Sequence, residues 1–255
     1  MTQPAGADHG FYVYGVVPAD VEVSPDARGV GDPPSPVDLV RHREIGALVS
    51  KVPLDRPLGR PDDLVAHEQL LDATAAEVPV LPIRFGAVLS QAEAVVEELL
   101  GPHHDEFAAA LKELDGRVEY LVKGRYVEQV VLREVLEENP EAARLREQIV
   151  GQSAEATRDL RIQLGEIINQ AIAAKREADT RALAERLQPY CLQAAVRPPT
   201  HEQDAVQLAL LVETDRGPEL EEAVQEVAES WAERVTLRVL GPLAPYDFAT
   251  TSRQG

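Results

Sequence analysis

Six histidines, one cysteine and 44 acidic side chains are the raw material for chemistry in this 255-residue sequence. His67-Glu68 begins like a zinc-binding H-E-x-x-H helix, but the chain continues Gln69-Leu70-Leu71 and the second histidine is missing. His67 lies three residues after Leu64, on the same helical face, so the spacing predicts a packed, hydrogen-bonded core or boundary histidine. His103-His104-Asp105-Glu106 offers metal-ligating types, yet neighbouring residues on a helix point to different sides. That run follows the Gly101-Pro102 break and reads as a solvated helix start. Lys123-Gly124-Arg125 lacks the glycine-rich cradle of a phosphate loop, and neither a dinucleotide fingerprint nor a nucleophile elbow occurs. The carboxylates of Glu219–Glu229 fall on the polar face of an amphipathic helix, where solvation is their ordinary role. Cys191, alone in the chain, reads as a small buried hydrophobe in a strand over Tyr190–Val196. The expectation is a protein that is not an enzyme, with no catalytic residues, no metal ligands and no cofactor.

Composition narrows the partners. With 25 Lys+Arg against 44 Asp+Glu the net charge is −19, which disperses the protein and repels nucleic-acid phosphates and anionic lipid head groups. Nucleic acid and membrane are therefore excluded as expected partners. A hydrophobic content of 44% suffices for real cores. Neither a signal peptide nor an apolar run of membrane-spanning length is visible, so a cytoplasmic location is expected.

In the first half, Phe11–Val17 is rich in aromatic and β-branched residues and stops at Pro18, which marks a strand. Val37–His42 and Ile45–Val52 flank a polar turn and predict a hairpin. Pro61-Asp62-Asp63 opens a helix with Leu64, Leu71, Ala75 and Val78 on one face. Val80–Phe85, interrupted by Pro82, predicts an edge or bulged strand. Ser90 with Glu93 has the spacing of a capping box for the next helix, and Phe107, Leu111 and Leu114 continue a helical stripe beyond Gly101-Pro102. Asp115-Gly116 is the expected boundary, giving an N-terminal α+β domain over 1–115 and a second domain over 116–255.

In the second half, Val118, Tyr120 and Val122 alternate with Glu119, Leu121 and Lys123, as in a strand covered on one face. A helical region runs from about 127 to 187 with a break at Asn139-Pro140. Within it Leu160, Leu164, Ile167, Ala171, Ala174 and Ala178 form a heptad seam. Tyr190–Val196 and Ala205–Thr214 read as strands, and Gly217-Pro218 starts a helix with Leu220, Ala223, Val224, Val227, Ala228 and Trp231 on one face. Val235, Leu237 and Val239 form a last strand stopped by Gly241-Pro242. The order β-α-β-β-α-β predicts a modified ferredoxin-like sandwich whose first crossover is enlarged into a helical or coiled-coil insertion.

Two segments are unusual for mere packing. Pro79-Val80-Leu81-Pro82-Ile83-Arg84-Phe85-Gly86 sets an arginine in an apolar run, and Gly241-Pro242-Leu243-Ala244-Pro245-Tyr246-Asp247-Phe248 is rigid and partly aromatic. Arg84, Phe85, Tyr246 and Phe248 are the candidate partner-binding residues, since arginine and aromatics anchor interfaces. With Tyr12-Val13-Tyr14-Gly15, His67 through Leu71, Gly116 to Lys123 and the Ala/Glu/Arg-rich central helix, these segments resemble the gas vesicle protein F/L family from end to end. Ala87 departs from the pattern, in which a hydroxyl residue more often follows the glycine. The resemblance implies two α+β domains, the second a modified ferredoxin-like fold. It also implies a structural or assembly protein, associated with the gas vesicle, that binds the small hydrophobic shell subunit and other vesicle accessory proteins. The competing expectation is a small-molecule-binding regulatory module on a ferredoxin-like fold, which would need a concave pocket with convergent polar groups.

Overall fold

The computed structural model describes residues 9–55 and 58–249. It is an α+β chain with two sheets, and its contacts divide it into two compact units. The first comprises Met1–Glu119, Leu211–Thr214 and Gly241–Gly255, the second Tyr120–Leu210 and Asp215–Leu240. The segment 241–249, grouped with the second half by sequence order, lies with the first unit.

In the first unit β1 (His9–Pro18) runs antiparallel to β3 (Ile45–Pro53), which pairs in turn with β2 (Asp38–His42). The β2–β3 turn carries Arg43 at φ 52, the left-handed backbone a tight hairpin needs. On its other side β1 pairs with β4 (Leu81–Pro82) and β5 (Val88–Leu89). The expected strand over Val80–Phe85 shrinks to two residues, because Pro82 has no N–H to extend the ladder.

A register shift between Val13 and Gly15 makes Tyr14 an extra residue in β1. A bulge of this kind reverses the alternation of side chains that follows it. Tyr12, Tyr14 and Val17 therefore share one core, while Val13 and Val16 belong to the other. The first core is completed by Leu71 and Ala75 of α1 (Pro61–Ala75), and the second by Phe107, Leu111 and Leu114 of α3 (His104–Leu114). Helices thus cover both faces of the sheet. The buried face of α1 is Asp63, His67, Leu71 and Ala75, whereas Leu64, expected on that face, is 42% exposed.

The capping box expected at Ser90 does not form. Gln91 is the extended N-cap and makes no side-chain cap bond. The three-residue α2 (Ala92–Ala94) passes directly into a π-helical stretch, Val95–Leu100, that buries Val95 and Leu100.

The second sheet has the order β7-β8-β6-β9, with β6 (Arg117–Tyr126), β7 (Gln193–Val196), β8 (Asp204–Glu213) and β9 (Val235–Leu243). β6 and β8 are central, so Val118 through Val122 are all buried. Glu119 and Leu121, expected on an open face, are buried with the rest, and the Glu119 carboxylate accepts from the Asp247 N–H at 2.9 Å. The proline of Gly241-Pro242 lies inside β9 rather than ending it, as an edge strand tolerates.

The helical insertion breaks twice, at Asn139 and again after Ile149, into α4 (Glu128–Glu138), α5 (Pro140–Ile149) and α6 (Arg158–Leu187). Asn139 caps α5 by accepting from the N–H groups of Glu141 and Ala142. The heptad seam is covered only in part: Leu160, Leu164, Ile167 and Ala171 are half-buried, while Ala174 and Ala178 are exposed. Burial moves instead to Thr180, Leu183 and Leu187, in the last two turns of α6. Cys191 falls outside β7, after a 3-10 turn, and is half-buried rather than buried. α7 (Gly217–Trp231) buries Leu220, Ala223, Val224 and Val227, the apolar face its periodicity predicts.

Candidate functional site

The first unit contains a cluster of aromatic rings around one histidine. β1 contributes Tyr12 and Tyr14, two residues apart and so on one face, with ring centroids 4.8 Å from each other. α1 contributes His67, whose ring stacks on Tyr14 at 5.7 Å and meets Tyr12 edge-on at the same distance. Phe85, in the loop after β4, approaches His67 at 5.5 Å and Tyr12 at 5.7 Å, both edge-on. The C-terminal segment adds Tyr246, 6.4 Å from His67.

Hydrogen bonds hold the cluster in register. The Tyr14 hydroxyl donates to Ser50 Oγ and accepts from the Val30 N–H, each at 2.8 Å. This close approach requires a glycine at position 29, because a Cβ there would collide with the phenol. The Tyr12 hydroxyl accepts from the Gly86 N–H at 3.2 Å and meets Nδ1 of His67 at 2.9 Å. Gly86 adopts φ 94, which turns the chain back after Phe85 and aims its amide at Tyr12.

His67 is 2% exposed. Burial pushes its pKa down to about 4, with the Ile83 backbone opposing the shift, so the ring is neutral at neutral pH. Nδ1 and the Tyr12 hydroxyl share one hydrogen bond, and no well-aligned hydrogen bond from a described residue reaches the buried Nε2. The Tyr246 hydroxyl is likewise buried and unpartnered, and desolvation raises its pKa. The histidine is packed and bonded as its spacing implied, although it shares its face with Asp63 and Leu71 rather than Leu64. The ring thus links α1 to β1, by a hydrogen bond to Tyr12 and by stacking on Tyr14.

Two of the four candidate residues, Phe85 and Tyr246, meet in this cluster. Arg84 projects to solvent and has neither an ion pair nor a hydrogen bond with a described residue. Phe248 packs on the opposite core, against the cluster containing Val13 and Leu111. Tyr12 and Tyr14 were legible only as strand residues: aromatic spacing marks a strand face, but nothing in it says which helix residue will meet that face.

His103 is exposed at the start of α3, as expected, whereas the His104 side chain keeps only 11% of its surface in solvent and meets His42 edge-on at 5.7 Å. His104 is bonded through Nδ1 to Asp105 at 2.8 Å and through Nε2 to Glu44 at 2.7 Å, contacts that raise its pKa. Among the described residues no group of three or more His, Cys, Asp or Glu side chains is arranged to hold a metal ion, and no helix is long and apolar enough to cross a membrane.

Comparison with known proteins agrees in both sequence and fold. The chain is 34% identical over 240 residues to gas vesicle protein F of Streptomyces sp., covering 93% of this chain and 98% of that one. It is 30% identical over 268 residues to gas vesicle protein L of the same organism, covering 93% and 92%. The crystal structure of the gas vesicle protein GvpF from Anabaena sp. superposes with a TM-score of 0.77 at 22% identity, over 97% of this chain and 98% of that one. That of GvpF from Microcystis aeruginosa gives the same score and identity over 94% and 99%. The model of the gas vesicle synthesis protein GvpL/GvpF family matches residues 10–250, and the chain belongs to that family.

Proposed function

We propose that this chain is a non-enzymatic gas vesicle assembly protein of the cytoplasm that binds the small hydrophobic shell subunit and helps to nucleate or build the vesicle. Shell subunits expose apolar surface before they polymerise, and a soluble, strongly acidic partner keeps such a complex dispersed. The observation that carries the reading is the loop Arg84-Phe85-Gly86. An exposed arginine without a partner among the described residues stands beside a phenylalanine pinned edge-on to Tyr12 and His67. An exposed cation next to a fixed aromatic anchor has the make-up of an interface hot spot. Tyr246 and Phe248 then act mainly by fixing the C-terminal segment, with Tyr246 bracing the same cluster. Other vesicle accessory proteins are further partners in this reading.

The same proposal takes the second domain, 116–255, as a modified ferredoxin-like fold with a helical insertion. The element order and the strand order β7-β8-β6-β9 support it. The proposal keeps the boundary with the 1–115 domain at Asp115-Gly116, although the contacts group Gly116–Glu119, Leu211–Thr214 and the segment 241–249 with the first unit.

Co-expression with the shell subunit, followed by native affinity capture of this chain, tests the function. The shell subunit should stay soluble and co-elute, and Arg84→Ala should reduce its recovery without lowering thermal stability. A shell subunit that aggregates while this chain elutes alone rejects direct binding. Undiminished recovery with Arg84→Ala rejects the site.

A further inference from the structure

In the second unit, α6 overhangs the sheet beside β7 and leaves an open groove of about 770 Å³. Its α6 wall presents Ala173, Thr180 and Ala184, spaced seven and four residues apart. That is a helical repeat of small side chains, which lets a second helix approach closely. Val196, facing the same space at the end of the edge strand β7, is 65% exposed. From Ala173 to Ala184 the wall is roughly 16 Å long, or three helical turns.

The charge of the groove runs against that of the chain. Arg176, Arg181 and Arg197 line it beside Glu177 and Asp204, in a protein of net charge −19. Asp204 is committed to its own loop, where it accepts from the Thr200 and His201 N–H groups and from Gln207 Nε2. Arg176 donates to the carbonyl oxygens of Asp204 and Glu202. Arg181 has no ion pair or hydrogen bond with a described residue.

We propose that this groove receives an amphipathic helix of a partner protein, about three turns long, with an apolar face toward Ala173, Thr180, Ala184 and Val196 and acidic side chains on the flank facing Arg181. Most of the surface repels an acidic segment, whereas this groove sets three arginines against two carboxylates over an apolar floor. The inference stands on the groove alone and does not depend on shell-subunit binding through Arg84.

The test uses the full chain and fluorescently labelled peptides of about fourteen residues, long enough to span the wall. All carry Leu and Ala on one face; the flanks are Glu in one peptide and Lys in a second, and a third is the Glu peptide interrupted by proline. Fluorescence anisotropy should show saturable binding of the Glu peptide, with the Lys peptide about tenfold weaker or more. Arg181→Glu should weaken the Glu peptide about fivefold or more and strengthen the Lys peptide. Ala173→Trp, at an exposed position, should fill the groove and weaken both. No saturable binding, equal affinities for the Glu and Lys peptides, or indifference to Arg181→Glu in a variant with unchanged circular dichroism would overturn the site. Equal binding of the proline-interrupted peptide would overturn the helical occupant.

Discussion

The N–H of Ala244 donates to Oδ1 of Asp72 at 2.8 Å, across a sequence separation of 172 residues. Asp72 lies on α1, one turn beyond Glu68 and close to the His67 cluster, and it is the polar tether of the segment that carries Tyr246. Within that segment Tyr246 N–H bonds to the Ala244 carbonyl and Ala249 N–H to the Pro245 carbonyl, so the tether holds a preformed turn rather than a loose chain.

Asp72→Ala should therefore free the C-terminal segment from Ala244 onward. The loss of one bond to a charged acceptor predicts a cost of about 1–2 kcal/mol. Hydrogen exchange at Ala244 and Tyr246 should accelerate in this variant and much less in Asp72→Asn, which keeps an acceptor. Equal protection in the alanine variant and the native chain would refute the tether.

Stability should depend on pH through His67. Its folded-state pKa of about 4 lies below the ordinary value of 6.5, so as pH falls the unfolded chain takes up the proton first. The stabilising contribution is complete above about pH 6.5 and is lost between 6.5 and 4, by up to about 3 kcal/mol. Urea midpoints measured across this window should fall with pH in the native chain. The slope should flatten in His67→Phe, whatever that substitution does to stability at pH 7.

Asp63 is a buried junction rather than a simple helix-cap acid. Its carboxylate accepts from Gly31 N–H at 3.2 Å, Gly59 N–H at 3.3 Å and Arg60 N–H at 3.2 Å. Asp63→Ala strands these donors in a site where the residue is 2% exposed, and should cost about 2–3 kcal/mol. Thermal denaturation measures it; a loss within about 0.5 kcal/mol, the range of an ordinary surface substitution, contradicts the junction.

In the second unit Arg234 grips Asp179 with two bonds, at 2.9 and 2.8 Å, reaches Glu134 at 2.9 Å and lies 5.3 Å over the Tyr126 ring. The Tyr126 hydroxyl also donates to Asp179, at 2.6 Å. Because these charged side chains keep 14–26% of their surface in water, solvent screens part of the interaction. Arg234→Ala should cost about 2 kcal/mol and Arg234→Lys most of that, since an ammonium cannot reproduce the paired geometry. Combining Arg234→Ala with Asp179→Ala should cost less than the sum of the two, and strict additivity would show that the pair is uncoupled.

Elements with a strong local period were legible. The hairpin Asp38–Pro53, α3 and α7 appear where alternation or a helical stripe predicted them, because their own side chains carry the pattern that burial then uses. The cap of the helix after Ser90 and the seam of α6 depart from their local patterns. Spacing marks Ser90 and Glu93 as a capping box, but the chain enters the helix one residue later, with Gln91 as the N-cap. In α6 the cover supplied by other elements selects Leu183 and Leu187 over Ala174 and Ala178. Phe85 and Tyr246 were recognised as out of place, but their common neighbour was not, since His67 by itself reads as one more boundary histidine.

From the sequence alone came the α+β character, the acidic and solvent-compatible surface, the absence of a catalytic motif and the family resemblance. All of these rest on composition, short-range period or the order of landmarks, which are properties of the chain before it folds. The tertiary structure decided which residues meet. The bulge at Tyr14 assigns side chains to two opposite cores, and Gly86 turns its amide onto Tyr12. The chain end returns to α1 through Ala244 and Asp72. Contacts between residues far apart in sequence form only if the folded core repays the entropy of closing the loops between them, and no local pattern encodes that balance.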